Sequence, residues 1–111
     1  YEKLWRFGAN EATEIEFFQH VKINNHKIKK GRYTLYCIPS PDKWTIIFNS
    51  NTDTWGAFKY NDKYDVFRIS IPVQKQKETI EYFSILFENT ATGYDMKVGW
   101  DDVLISIPIT L

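Results

Sequence analysis

Period-two alternation constrains this chain more than any other feature. In Thr13-Glu14-Ile15-Glu16-Phe17, apolar and charged residues alternate, which puts Ile15 and Phe17 on one face of a strand and both glutamates on the other. The pattern returns in Arg32–Ile38, where Tyr33, Leu35 and Cys37 share a face, and in Val66–Val73 through Phe67, Ile69 and Ile71. Thr79–Glu88 aligns Phe83, Ile85 and Phe87. Tyr94, Met96, Val98 and Trp100 follow, and after Asp101-Asp102 come Val103, Ile105, Ile107 and Ile109. Trp44–Phe48 is apolar without alternation, as a strand covered on both faces is. Val21-Lys22-Ile23 and His26-Lys27-Ile28 flank Asn24-Asn25, a hairpin signature. No segment sustains a 3.6-residue period. The alternation predicts an all-β antiparallel two-sheet β-sandwich of about eight strands, jelly-roll-like or immunoglobulin-like. Gln74-Lys75-Gln76-Lys77 reads as a polar connector holding at most one helical turn.

The 111 residues suit a single domain, 1–111, and 43% hydrophobic with 17% aromatic content supplies a core. Formal charge is zero, so the basic excess of a nucleic-acid binder is missing. No apolar run approaches the ~20 residues of a membrane-spanning helix. Cys37 stands alone, so no internal disulfide forms. The chain opens on Tyr1 rather than Met, as a processed form or an excised domain would.

Trp5-Arg6-Phe7-Gly8-Ala9-Asn10-Glu11-Ala12-Thr13 resembles the signature of a bacterial family, domain of unknown function 2911. Gly31-Arg32-Tyr33-Thr34-Leu35 with Pro39, Trp44–Asn49, Trp55-Gly56 with Tyr60, and Asp65 with Arg68 are similar to later parts of the same family. The resemblance implies a β-protein outside the cytoplasm, periplasmic or secreted. It also implies a signal sequence and further β structure upstream, so the chain is read as lacking that upstream segment. An open sheet edge is then expected, and with it weak homodimerisation.

Arg6 and Arg68 are each embedded in strand-forming sequence, where a guanidinium needs a planar partner. The long Asn49–Asp65 connection carries Trp55 and Tyr60, whose rings could line a pocket. A ligand site is therefore expected where the Trp5–Thr13 corner meets this loop. Arg6 and Arg68 would anchor an anionic or hydroxyl-rich ligand, Asn10 and Glu11 would orient it, and Trp55 and Tyr60 would stack on it. The rival account uses the same residues as a structural lock, with Arg68 bonded to Asp65 or Glu11.

Glu14 and Glu16 point the same way, roughly 6–7 Å apart, within the range of paired carboxylates in glycoside hydrolysis. A glycan- or ester-directed hydrolase using Glu11, Glu14 or Glu16 is thus the enzymatic alternative. An exposed strand face shows the same spacing. Asn49, Asn51 and Asp53 begin like a calcium loop, but Thr54 and Tyr60 stand where its glycine and glutamate belong. His20 and His26 lack metal-site spacing, and Cys37 reads as a buried thiol. Lys22, Lys27, Lys29, Lys30 and Arg32 gather around the first hairpin. They read as a solvated surface that discourages edge pairing, with contact to an anionic polymer as the alternative. No nucleophile–base pair, metal cluster or phosphate loop is present in the pattern, so no cofactor is expected. The preferred reading is a non-catalytic binding module with a carbohydrate-like ligand. A purely structural interaction domain is the other alternative.

Overall fold

The computed structural model describes residues 5–6, 13–52 and 62–111, of which 5–6, 76–83 and 101 are described by backbone alone. In chain order the strands are β1 (Trp5–Arg6), β2 (Glu14–Phe17), β3 (Val21–Ile23), β4 (His26–Ile28), β5 (Gly31–Pro39), β6 (Lys43–Asn49), β7 (Asp65–Pro72), β8 (Gln74–Asn89) and β9 (Gly93–Thr110). They form two antiparallel sheets. One has the order β1-β5-β6-β7, with β2 also on β5; the other has β4-β3-β9-β8. The expected all-β sandwich is therefore the fold. Among the described residues the one helical element is a 3-10 turn at Asp62–Tyr64.

The alternating residues make the core. Tyr33, Leu35 and Cys37 of β5 and Trp44, Ile46 and Phe48 of β6 face Val21, Ile23, Ile28, Met96, Val98, Ile105 and Ile107 of the other sheet. Phe17, Tyr33, Phe48 and Phe67 pack ring to ring at centroid distances of 6.0–6.4 Å. His26 of β4 stacks on Phe67 of β7 at 4.6 Å and closes one side of the sandwich. β6 is buried on both faces, as its unbroken apolar run predicts: Ile47, on the outer face beside Tyr36, is as buried as Ile46.

The hairpin turns on Asn24 (φ 52°) and Asn25 (φ 65°), both left-handed, which matches the sense of twist of the flanking strands. Two other expectations are corrected. Gln74–Lys77 is not a connector but the start of β8. Tyr94–Trp100 and Val103–Ile109 are not separate strands but parts of β9. Straight, an 18-residue strand would reach about 60 Å, whereas the molecule's longest extent is 40 Å, so β9 bends. Register shifts between Lys75, Ile80 and Ser84 of β8 accompany the bend. The two ends of β9 consequently meet. Leu111 N donates to Thr92 O at 2.9 Å, and Gly93 lies so close to Ile109 that a Cβ there would sit 2.0 Å from its carbonyl oxygen.

Candidate functional site

A cleft of about 310 Å³ opens where the β2–β3 corner meets the two ends of β9. Its floor is Ile15, Phe17, Val21 and Ile109. Its walls carry Phe18, Phe87, Tyr94 and Leu111, with Glu16 and Gln19 as its acidic and amide side chains. The origin of the cleft is topological. Phe87 pairs with Met96, and Tyr94 with Asn89, near the tip of the β8–β9 hairpin. Met96 is fully buried, but Phe87 remains 52% and Tyr94 39% exposed. Rings that the alternation aims inward are left uncovered at the sandwich end. Phe18 breaks the alternation directly after Phe17, so it points out, and it is 85% exposed. Four of the eight large apolar side chains exposed among the described residues line this one cleft. Such clustering distinguishes a binding surface from scattered exposed apolar groups.

Of the six residues expected to form a ligand site, Asn10, Glu11, Trp55 and Tyr60 lie outside the described residues. Arg6 lies opposite Tyr36, Tyr36 opposite Ile47, and Ile47 opposite Arg68, so one cross-strand row carries both arginine positions. The next row runs Glu14, Thr34, Asn49, Asp65. Arg68 donates from Nε and a terminal nitrogen to Asp65 Oδ2, at 3.1 and 3.0 Å, and stays half-exposed. Asp65 Oδ1 accepts from Asn49 Nδ2 at 2.9 Å, and Asn49 Oδ1 accepts from Asn51 N. The Arg68–Asp65 bond of the rival account is present within β7, and the Asn49–Asp65 bond ties β7 to the exit of β6. Ser50 N donates to Tyr64 O at 2.8 Å and closes the base of the long connection.

The paired glutamates are not equivalent. Glu14 is half-buried in an ion pair with Arg32, whereas exposed Glu16 lines the cleft. Cys37 is buried, and burial pushes its thiol from the ordinary 9.0 up to about 12, which suits packing rather than nucleophilic chemistry. His20 Nδ1 accepts from Lys30 N at 2.9 Å, so it pins the corner that carries Phe18 to the start of β5. Asn49 and Asn51 of the truncated calcium pattern are joined to each other, and no cluster of three or more metal-ligating side chains occurs among the described residues. None of their helices is long and apolar enough to cross a membrane.

The profile of the family described as "Protein of unknown function (DUF2911)" matches residues 1–109. The chain belongs to this family. Searches of curated proteins and of solved structures return no match. In this DUF2911 chain, the cleft draws on residues the opening signature does not contain. Sequence reasoning missed the cleft; the signal it could have used is Phe18, an apolar residue that breaks the alternation directly after Phe17. Phe87 and Tyr94 read as core positions, and nothing local to them signals that they stay exposed.

Proposed function

We propose that this DUF2911 domain is a non-catalytic, extracytoplasmic binding module whose ligand sits in the cleft at the β2–β3 corner. The location outside the cytoplasm rests on the family resemblance. The observation that carries the binding reading is the pair of inner-face rings, Phe87 and Tyr94, left open beside Phe18 in a cavity of about 310 Å³. Flat rings receive the apolar face of a sugar ring, while Glu16, Gln19 and the Tyr94 hydroxyl serve its hydroxyl groups. A carbohydrate-like ligand is the class that uses both. The hydrolase alternative is disfavoured by Glu14, whose carboxylate is engaged by Arg32.

Thermal-shift screening of the full chain against a glycan panel tests the proposal, because a ligand that binds only the folded state raises Tm. A hit should be lost in Tyr94→Ala and Phe18→Ala and retained in Glu14→Gln. Glycan turnover abolished by Glu16→Gln would replace the binding module with an enzyme. A panel without a single shift would leave the structural interaction domain as the better reading.

A further inference from the structure

The chain holds no aspartate or glutamate from Phe17 to Pro41, yet it places Lys22, Lys27, Lys29, Lys30 and Arg32 there. Arg32 is neutralised by Glu14. The four lysines have no carboxylate partner among the described ion pairs, which join Arg68 to Asp65, Lys75 to Asp102 and Lys97 to Glu88. Two of the four are forced together. Lys22 and Lys27 are directly opposite in the β3–β4 ladder, on the exposed face behind buried Val21, Ile23 and Ile28. Side chains so placed have Cβ atoms about 4.5–5.5 Å apart, and like charges there oppose folding. Among the described ion pairs none offsets this repulsion, in a chain whose net charge is zero.

Two of the lysines adjoin the cleft, whereas Lys22 and Lys27 lie on the opposite face of the β3–β4 hairpin from Val21, which lines it. Phe17 pairs with Gly31, and Lys30 N bonds His20 Nδ1, so the Lys29–Lys30 turn packs beside the corner that presents Phe18. An apolar ring-lined cleft therefore borders the Lys29–Lys30 turn, and the Lys22–Lys27 pair lies on the outer face of the same hairpin.

We infer that the saccharide taken by this cleft is acidic: a polyuronate-like chain whose rings meet Phe18 and Tyr94 and whose carboxylates meet Lys22, Lys27, Lys29 and Lys30. This rests on the cleft being the ligand site. An extended polymer suits this arrangement, because one segment fills the cleft while the next passes the Lys29–Lys30 turn onto the outer face of the hairpin.

The test titrates the full chain with polygalacturonate, a neutral glucan and a single-stranded oligonucleotide of equal charge. Polygalacturonate should bind most tightly, and salt should weaken it. Lys22→Ala/Lys27→Ala should weaken it by about tenfold at low salt, where unscreened charge contacts are strongest. Lys27→Glu should also weaken it while raising Tm, since it turns a like-charge pair into an opposite-charge pair. Binding of the glucan as tight as that of polygalacturonate and unmoved by the lysine variants would overturn the inference and keep the cleft. Polygalacturonate binding that needs the lysines but ignores Phe18→Ala and Tyr94→Ala would overturn both. Equal affinity for the oligonucleotide would reduce the hairpin to a general anion patch and sink the acidic-saccharide assignment.

Discussion

At the residue scale, position in the alternation matters more than residue type. Phe18 and Ile107 are both large and apolar, but one is 85% exposed and the other fully buried. Ile107→Ala should cost about 2–5 kcal/mol by leaving a core cavity, while Phe18→Ala should stay within about 0.5 kcal/mol. Urea unfolding of the two variants measures the contrast. Cys37 offers a pH prediction. Its folded pKa of about 12 lies above the ordinary 9.0, so the unfolded chain loses this proton first. The thiol's contribution to stability is full below pH 9.0 and disappears as pH rises toward about 12. Wild-type stability should therefore fall more steeply than that of Cys37→Ala across this window, and denaturation at stepped pH would show parallel slopes if the thiol were solvated. Asp65 and Arg68 separate a buried role from an exposed one. Arg68→Ala removes one partner from a half-exposed pair and should cost at most about 1 kcal/mol. Asp65→Ala also takes the acceptor from the buried Asn49 amide and should cost about 1–3 kcal/mol, a difference that thermal unfolding resolves.

At the element scale, two hairpins behave differently. β3–β4 is short, local and set by its own Asn24-Asn25 turn. β8–β9 is long and bent, and its shape depends on Gly93 lying against the Ile109 backbone. Gly93→Ala would drive a methyl group into that carbonyl, where only backbone movement gives relief. It should cost about 1–3 kcal/mol or more and should distort the cleft, because Tyr94 and Ile109 are its neighbours and line it. Gly31 is a different case. Its φ of +144° belongs to glycine, but open space surrounds it, so Gly31→Ala should cost about 1–3 kcal/mol of backbone strain without opening the sheets. Amide exchange read at β5 and β9 in the two variants distinguishes a local effect from separation of the β9 ends.

At the scale of the whole molecule, the sandwich is unevenly capped. Tyr36 and Ile47 on the outer face of the first sheet are buried, and His26 stacks on Phe67 at one side. The end formed by the β2–β3 corner and the β8–β9 tip leaves its rings uncovered. Stability and binding should therefore separate. Substitutions at Phe18 should alter ligand-induced shifts in Tm more than Tm itself, while those at Ile105 or Ile107 should lower Tm alone. Differential scanning calorimetry with and without the bound glycan gives both quantities.

Alternation was enough to specify two antiparallel sheets and the inward side of β2, β7 and the second half of β9, because a period of two is a property of the strand alone. Trp100, by contrast, is aligned with Met96 and Val98 yet exposed. The Asn24-Asn25 turn and the doubly buried β6 were equally local and equally legible. The number of strands was less so: Asp101-Asp102 reads as an interruption, but the backbone of β9 continues through a bend while its partner shifts register. Contacts between distant segments were not legible. Arg68 finding Asp65 was one of two partners open to it. The cleft depends on residues 15–19, 21, 87, 94, 109 and 111 meeting at one end, with Phe87 and Tyr94 exposed there. Burial of a face is written in the pattern of a strand, but whether a neighbour reaches far enough to cover it depends on how the two sheets are stacked and how β9 bends.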